Sequence, residues 1–433
     1  MSVSPVRRDA VLGALRRGTV PGSGLDLLAV GLERLAPGLE ESLATCRSGG
    51  ASFTAIRGEY GAGKTFVSRW LGERAKAANM AVAEVQISET ETPLHRLETV
   101  YRRLCERLTT ATAPPSAFRP VLDAWLFTLE EDALAAGDLD DEALGAAVDE
   151  LMGSRLAALA TSTPAFATGL RGYRAAVASD DAGVADGLAA WLAGEPHVAA
   201  AARRAGGVKG EVDHFMALSF LQGLLIVLRD AGHPGLVLIL DEVETLQRVR
   251  SDARAKALNA LRQLIDEVDA GRFPGLYLVI TGTPAFFDGR QGVQTLQPLA
   301  DRLHTDFGTD ARFDNPRAPQ VRLLGFDLDG LTELGVRVRD LYADGSAAPD
   351  RIRSLVDDAY VRDLASAVAG RLGGRVGVAP RLFLRKLVAD VLDRVDQFAD
   401  FDPRQHYALT VNRSELTAAE AEASAVSVDD IEL

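Results

Sequence analysis

Residues 58–65 read Gly-Glu-Tyr-Gly-Ala-Gly-Lys-Thr, a spacing of glycines, lysine and hydroxyl suited to holding a polyphosphate. Glycines let a backbone curl until successive N–H groups point at one anion. Lys64 can then reach the β and γ oxygens, and the Thr65 hydroxyl can join the shell of a Mg²⁺ ion. Gly58, Glu59, Tyr60, Gly61, Ala62, Gly63, Lys64, Thr65 and Phe66 are the expected nucleotide contacts, and ATP the expected ligand. Residues 52–56 read as a short buried strand entering the loop, and residues 66–71 as a helix leaving it, whose N-terminus favours negative charge. The bland alternative is a glycine turn ahead of a helix; strand, helix and Lys-Thr in register argue against it.

Hydrolysis also needs a metal ligand and a base. Residues 236–240 are five consecutive aliphatics followed by Asp241 and Glu242. Such a run is what a strand buried on both faces of a parallel sheet looks like, and open α/β sheets bind ligands at the carboxyl ends of their strands. Asp241 is expected to hold Mg²⁺ through water, and Glu242 to orient and deprotonate the attacking water. The alternative is a core strand with solvated acids at its end. Glu244 reads equally well as an exposed acid at a helix start. A third strand, residues 275–280, ends in Thr281-Gly-Thr-Pro284, and either Thr281 or Thr283 could touch the γ-phosphate or the water. A plain Thr-Gly turn before proline is the alternative.

These residues need a scaffold. The chain has 433 residues, 47% hydrophobic and 25% charged, ordinary for a globular protein with two or three domains. No apolar run reaches bilayer length and residues 1–20 lack a signal-peptide core, so no membrane is expected. Two cysteines, Cys46 and Cys105, are too few for a disulfide framework or a zinc site, which suggests a cytoplasmic setting. A net charge of −14 argues against purely electrostatic nucleic-acid binding. Part of that charge lies in residues 414–433, which carry Glu415, Glu420, Glu422, Asp429, Asp430 and Glu432 and no base; this reads as a solvated, disordered tail.

The second strand, residues 81–87, and the Asp241 strand are separated by about 150 residues of helical periodicity, far beyond an ordinary crossover. Leu94, Leu97, Tyr101, Leu104 and Leu108 share one face, and further helices are expected near 120–135, 140–160, 184–205 and 211–230. The segment 161–164 reads as punctuation. A helix over 251–269 follows a basic cluster, Arg248, Arg250, Arg254 and Lys256; a solvated face explains it, and a nucleic-acid contact is the alternative. Two short N-terminal helices flank Thr19–Pro21, which are candidates for base contacts. After a last strand at 320–324, helices at 328–344, 349–370 and 379–398 form a lid. Arg381 opens the last of them, where a cation opposes the helix dipole; an Arg reaching a bound phosphate would supply the missing partner. The resulting divisions are 1–90 and 211–325 as the two parts of the core, 91–210 as a helical insertion, 326–410 as the lid and 411–433 as the tail.

In this order the blocks resemble the AAA+ superfamily, near its origin-recognition and STAND-type branches. The resemblance implies an α/β P-loop NTPase with a parallel-sheet core, a large helical insertion and a C-terminal helical lid. It implies Asp241 and Glu242 as the Walker B pair, Thr281 or Thr283 as first sensor, Arg381 as second sensor and Arg302 as arginine finger. More closely, the Gly58–Thr65 octet after Arg57, the 241–244 run, the 280–284 turn and residues 379–381 resemble the ATP-binding BrxD proteins of BREX phage-defence systems. That likeness implies a Mg-dependent ATPase, slow alone, switching its grip on other proteins of a defence complex, and a nucleotide-dependent homo-oligomer. DNA is a weakly supported partner. A STAND-like regulator and a DNA-handling loader are the alternatives.

Overall fold

In the computed structural model, the described residues are 3–135, 140–157, 163–308, 310–372, 379–417 and 420–421. Five strands form around the aliphatic runs: β1 (Ser52–Arg57), β2 (Ala81–Gln86), β3 (Leu236–Asp241), β4 (Leu276–Gly282) and β5 (Gln320–Arg322). Every residue of β3 and β4 is buried, the expected state of strands covered on both faces. β2 pairs with β3 in parallel, placing Gln86 opposite Asp241, and β3 pairs with β4 in parallel, placing Leu240 opposite Ile280. The sheet order is β2-β3-β4-β1-β5.

The chain divides into two compact units. The first comprises residues 1–38, 56–73 and 306–433, and the second residues 39–55 and 74–305, so that β1 is shared. In the first unit, the helix Pro5–Arg16 starts with proline after Ser4, whose hydroxyl accepts from the Arg7 N–H. Its Val11 and Leu15 enter one core with Leu334, Val338, Phe383, Leu387 and Val391, so the N-terminal helix is part of the lid. The ion pair of Arg16 with Asp393, at 2.6 Å, ties the two ends of this core. The expected lid helix 349–370 is two helices, Pro349–Leu355 and Asp358–Arg371, because the Asp357 side chain caps the second by accepting from the Tyr360 N–H. The last runs from Pro380–Arg385 through a π-helical turn, Lys386–Leu392, to Asp393–Gln397.

In the second unit the inserted helices have no separate core. Phe220, on the helix His214–Asp230, receives Tyr101, Phe166 and Trp191 edge-on at centroid distances of 5.9, 5.1 and 5.3 Å. These residues belong to the same cluster as Leu238 and Leu278 of the sheet. Truncating one such buried aromatic costs about 3–5 kcal/mol, so insertion and strands stand or fall together. A helix absent from the sequence reading, Pro164–Ala178, begins where punctuation was expected, with the proline in its first turn. The stretch 184–205 is two helices, Ala182–Leu192 and Ala200–Ala205. Among the described residues no helix is long and apolar enough to cross a membrane.

Candidate nucleotide site

The loop half belongs to the first unit. Gly61 and Gly63 take φ of +82° and +95°, the left-handed region that glycine enters without strain. A Cβ at Gly58 would lie 3.2 Å from the Leu323 carbonyl oxygen and 3.3 Å from the Ala62 Cβ, so close packing requires glycine there. A Cβ at Gly63 would meet only the Phe66 Cβ, at 4.0 Å, which leaves open space over the loop. The helix Lys64–Ala77 starts at the loop, where the Val67 N–H donates to the Gly63 carbonyl. Lys64 is buried and folds back, donating to the Gly58 carbonyl at 2.8 Å and the Glu59 carbonyl at 3.2 Å, with its ammonium 5.2 Å from the half-exposed Tyr60 ring. A lysine resting on carbonyls in a loop with space in front of it fits a phosphate ligand, which would offer stronger acceptors.

The Thr19–Pro21 segment is tied to the same helix. Arg69 donates to the Val20 carbonyl at 3.1 Å, and Glu73 accepts from the N–H groups of Gly24 and Leu25 at 2.6 and 2.8 Å. Thr19 uses its hydroxyl on the Ala14 carbonyl. Arg69 and Glu73, an i, i+4 pair on the loop helix, went unread in the sequence. Arg381 has a partner within the chain: both Glu420 carboxylate oxygens accept from its guanidinium, and the Glu415 carbonyl accepts from it as well. The expectation of a solvated acidic tail from residue 414 is therefore corrected for its first residues. Glu420 is 3% exposed, and Glu415 accepts from Lys386 at 2.8 and 3.1 Å. The buried Lys386 and half-buried Arg381 cations give these acids a reason to dock. The rest of the tail, 422–433, lies outside the described residues, as do 373–378 ahead of the lid helix.

The acid half belongs to the second unit. The Thr281 hydroxyl, fully buried, donates to Asp241 Oδ1, and the Glu242 N–H approaches both Asp241 Oδ1 at 3.1 Å and Thr281 Oγ1 at 3.2 Å. Of the two threonines, Thr281 is thus the one bound to the acid; Thr283 is buried at the start of the helix Pro284–Asp288 and makes no capping bond. Glu242 sits at φ +60°, a left-handed conformation that costs a non-glycine residue about 1–3 kcal/mol. Its carboxylate accepts from the Gln86 amide at 2.8 Å. Gln86 was missed by sequence reading because it lies 156 positions away; the register of β2 on β3 brings it there. Glu244, which sequence left open as an exposed acid, is buried. Arg302 forms an ion pair with Asp266 and donates to the Pro298 carbonyl at 2.7 Å. In the basic cluster Arg254 donates to the Gln247 carbonyl, and Arg248, Arg250 and Lys256 are exposed.

Among the described residues no three His, Cys, Asp or Glu side chains gather as a metal site. Thr65 in the first unit and Asp241 in the second are the expected protein donors; a hydroxyl and a carboxylate are each an oxygen ligand of the kind Mg²⁺ takes alongside waters and phosphate oxygens.

No curated protein matches the chain. The ORC2 protein of Aeropyrum pernix, solved as ADPNP-ADP complexes, is a structural match with 12% sequence identity, covering 92% of this chain and 80% of that one, at a TM-score of 0.33. The family described as "BREX system ATP-binding protein BrxC/D" matches residues 3–411. Covering nearly the whole chain, that match makes this protein a member of the BrxC/D family.

Proposed function

We propose that this chain is a Mg-dependent ATPase acting as a nucleotide switch in a BREX-type phage-defence system. The observation that carries the reading is the loop itself. Gly61 and Gly63 already hold left-handed conformations, and the Lys64 ammonium rests on the carbonyls of Gly58 and Glu59. Gly58–Phe66 bind the phosphates, with Lys64 exchanging carbonyl acceptors for β and γ oxygens. Bound Mg²⁺, held by Thr65 and Asp241 with waters, would neutralise phosphate charge. Glu242 accepts a proton from the water that attacks the γ-phosphorus; the bond to the β–γ bridging oxygen breaks, and ADP and phosphate leave. Thr281 acts as a positioning residue on Asp241, and the Gln86 amide restrains the Glu242 carboxylate.

A hydrogen-bonded, strained Glu242 supports slow turnover without partners. The helices of 91–210 and the lid of 326–410 are the parts we assign to partner proteins of the defence complex. Arg302 serves a neighbouring subunit's site in a nucleotide-dependent homo-oligomer. Mg-ATP titration of the parent and Lys64→Ala chains, followed by phosphate release, tests the reading. Binding in the parent, and binding weaker by about 100-fold or more in the variant, is expected; equal affinity in both would exclude the loop.

A further inference from the structure

The first unit holds a carboxylate where an acidic tail was expected to be solvated. We propose that Glu420 occupies Arg381 in place of a nucleotide phosphate, making the C-terminal segment an intramolecular competitor of ATP. The inference rests on the ATP-binding reading of Gly58–Phe66 given above.

Three observations converge on it. First, the contact is a fork. Arg381 Nε donates to Glu420 Oε1 at 3.1 Å and Nη2 donates to Oε2, a two-point arrangement that a phosphate group matches equally well. Second, anchor and competitor are separate residues. Glu415 is held by Lys386 at 2.8 and 3.1 Å and by Arg385 at 3.6 Å, and it completes a capping box with Asn412, whose N–H it accepts at 2.9 Å. Burial alone would raise the Glu415 carboxyl, but the Asn412 N–H and the Lys386 ammonium outweigh it and leave the carboxyl below its usual range. The segment therefore stays docked through Glu415 while Glu420 is free to exchange. Third, Arg381 lies beside the segment assigned to the base. A Cβ on Gly18 would stand 3.3 Å from Arg381 Nη1, and Val20, two residues on, is bonded to Arg69 of the loop helix.

Charge decides what can replace Glu420. A half-buried guanidinium that loses a carboxylate is best matched by another anion, and a nucleoside polyphosphate supplies one. ATP binding then releases Glu420 from Arg381; locally the Thr417 N–H donates to Glu420 Oε2 at 2.7 Å and the Glu420 N–H to Thr417 Oγ1 at 3.3 Å. Occupancy of the site would be readable at the C-terminal segment.

The test is Mg-ATP affinity of the full chain, its E420Q variant, its R381A variant and the double variant. E420Q should bind ATP about three- to thirty-fold more tightly, because the fraction of Arg381 available rises, and the gain should vanish in the R381A background. Unchanged or weaker binding by E420Q, with the parent binding ATP, would leave Glu420 a structural partner and end the proposal alone. A parent that binds no ATP ends both this proposal and the reading it rests on. Hydrogen exchange in the parent gives a measurement that needs no variant: the amides of Thr417, Glu420 and Ala421 should exchange faster with saturating Mg-ATP, and unchanged protection would overturn the release.

Discussion

The two units carry opposite kinds of functional group, and each is satisfied in its own way. In the first unit the groups are cations, Lys64 and Arg381, on a loop and a short helix, and their acceptors include the carbonyls of Gly58, Glu59 and Glu415 and the carboxylate of Glu420. In the second they are acids, Asp241 and Glu242, at the end of a strand buried throughout, and their donors are Thr281 and Gln86. A carbonyl or carboxylate can be exchanged for a phosphate oxygen at little cost, since both are anionic or lone-pair acceptors. A hydroxyl bonded to a buried carboxylate cannot leave without stranding that carboxylate. On the proposed reading the difference is a division of labour: the cations would change partners when nucleotide arrives, and the acids would keep theirs. The strain at Glu242 belongs to the same picture, because only a rigid strand end can carry it.

The largest effect should come from breaking the exchangeable side. Lys64→Ala removes the loop's cation and should weaken Mg-ATP by about 100-fold or more, the loss of charge-assisted bonds totalling about 3 kcal/mol. Calorimetry measures it, and the unliganded chain should unfold at nearly the parent's temperature. Next comes the fixed side. Glu242→Gln keeps shape and removes basicity, so ATP binding should persist within about threefold while turnover falls about 10²–10⁴-fold. Single-turnover hydrolysis near the parent's rate would remove Glu242 from the chemistry.

Thr281→Val sharpens the comparison by removing the hydroxyl donor to Asp241 Oδ1, which keeps the Glu242 N–H. A buried carboxylate that loses one of its donors costs about 1–3 kcal/mol, visible as a lower denaturation midpoint at unchanged slope. Thr283→Val, whose hydroxyl makes no capping bond, should cost less. Equal losses would mean that the Asp241 contact is not what Thr281 contributes. Gln86→Leu works in the other direction. Its amide hydrogen bond restrains the Glu242 carboxylate, so its removal should raise basal turnover by a few-fold, in line with about 0.5–1.5 kcal/mol for one exposed hydrogen bond. A fall in turnover would instead show that Gln86 aims the base.

What was legible in the sequence follows the same physics. The Gly58–Thr65 octet and the aliphatic run into Asp241 were readable because their chemistry is contiguous: strand, turn and functional group come within a few residues. The helix Ser251–Asp269 was readable from a clean apolar stripe. Partners that meet through topology were not. Gln86 reaches Glu242 only through strand register, and Arg16 reaches Asp393 across 377 positions. Arg381 was read as a cation without a structural partner, reaching for a bound phosphate, yet it meets Glu420, from residues taken for a solvated tail. Local charge says nothing about docking when the counter-ions, Arg381 and Lys386, lie elsewhere in sequence. The helix Pro164–Ala178 was lost because a proline after Thr-Ser-Thr reads as a break, whereas in the first turn of a helix it is favourable.

Arg302 is the smallest structural effect and the sharpest question. Its pair with Asp266 is partly exposed, 37% on the arginine side and 27% on the acid, so solvent screens it. Arg302→Ala should therefore lower stability by less than about 1 kcal/mol. A finger acting on a neighbouring subunit would have to leave that pair, as Lys64 would leave its carbonyls and Arg381 its glutamate, and Arg302 would then be a cation of the second unit that behaves like those of the first. If it does, turnover should rise with protein concentration. A mixture of Arg302→Ala and Lys64→Ala chains should also recover activity that neither has alone, because Arg302 of the Lys64→Ala chain serves the intact loop of the other. Turnover that is independent of concentration, on particles that stay monomeric with ATP, would return Arg302 to the fixed side, as an ordinary surface ion pair on the helix Gln297–Leu303.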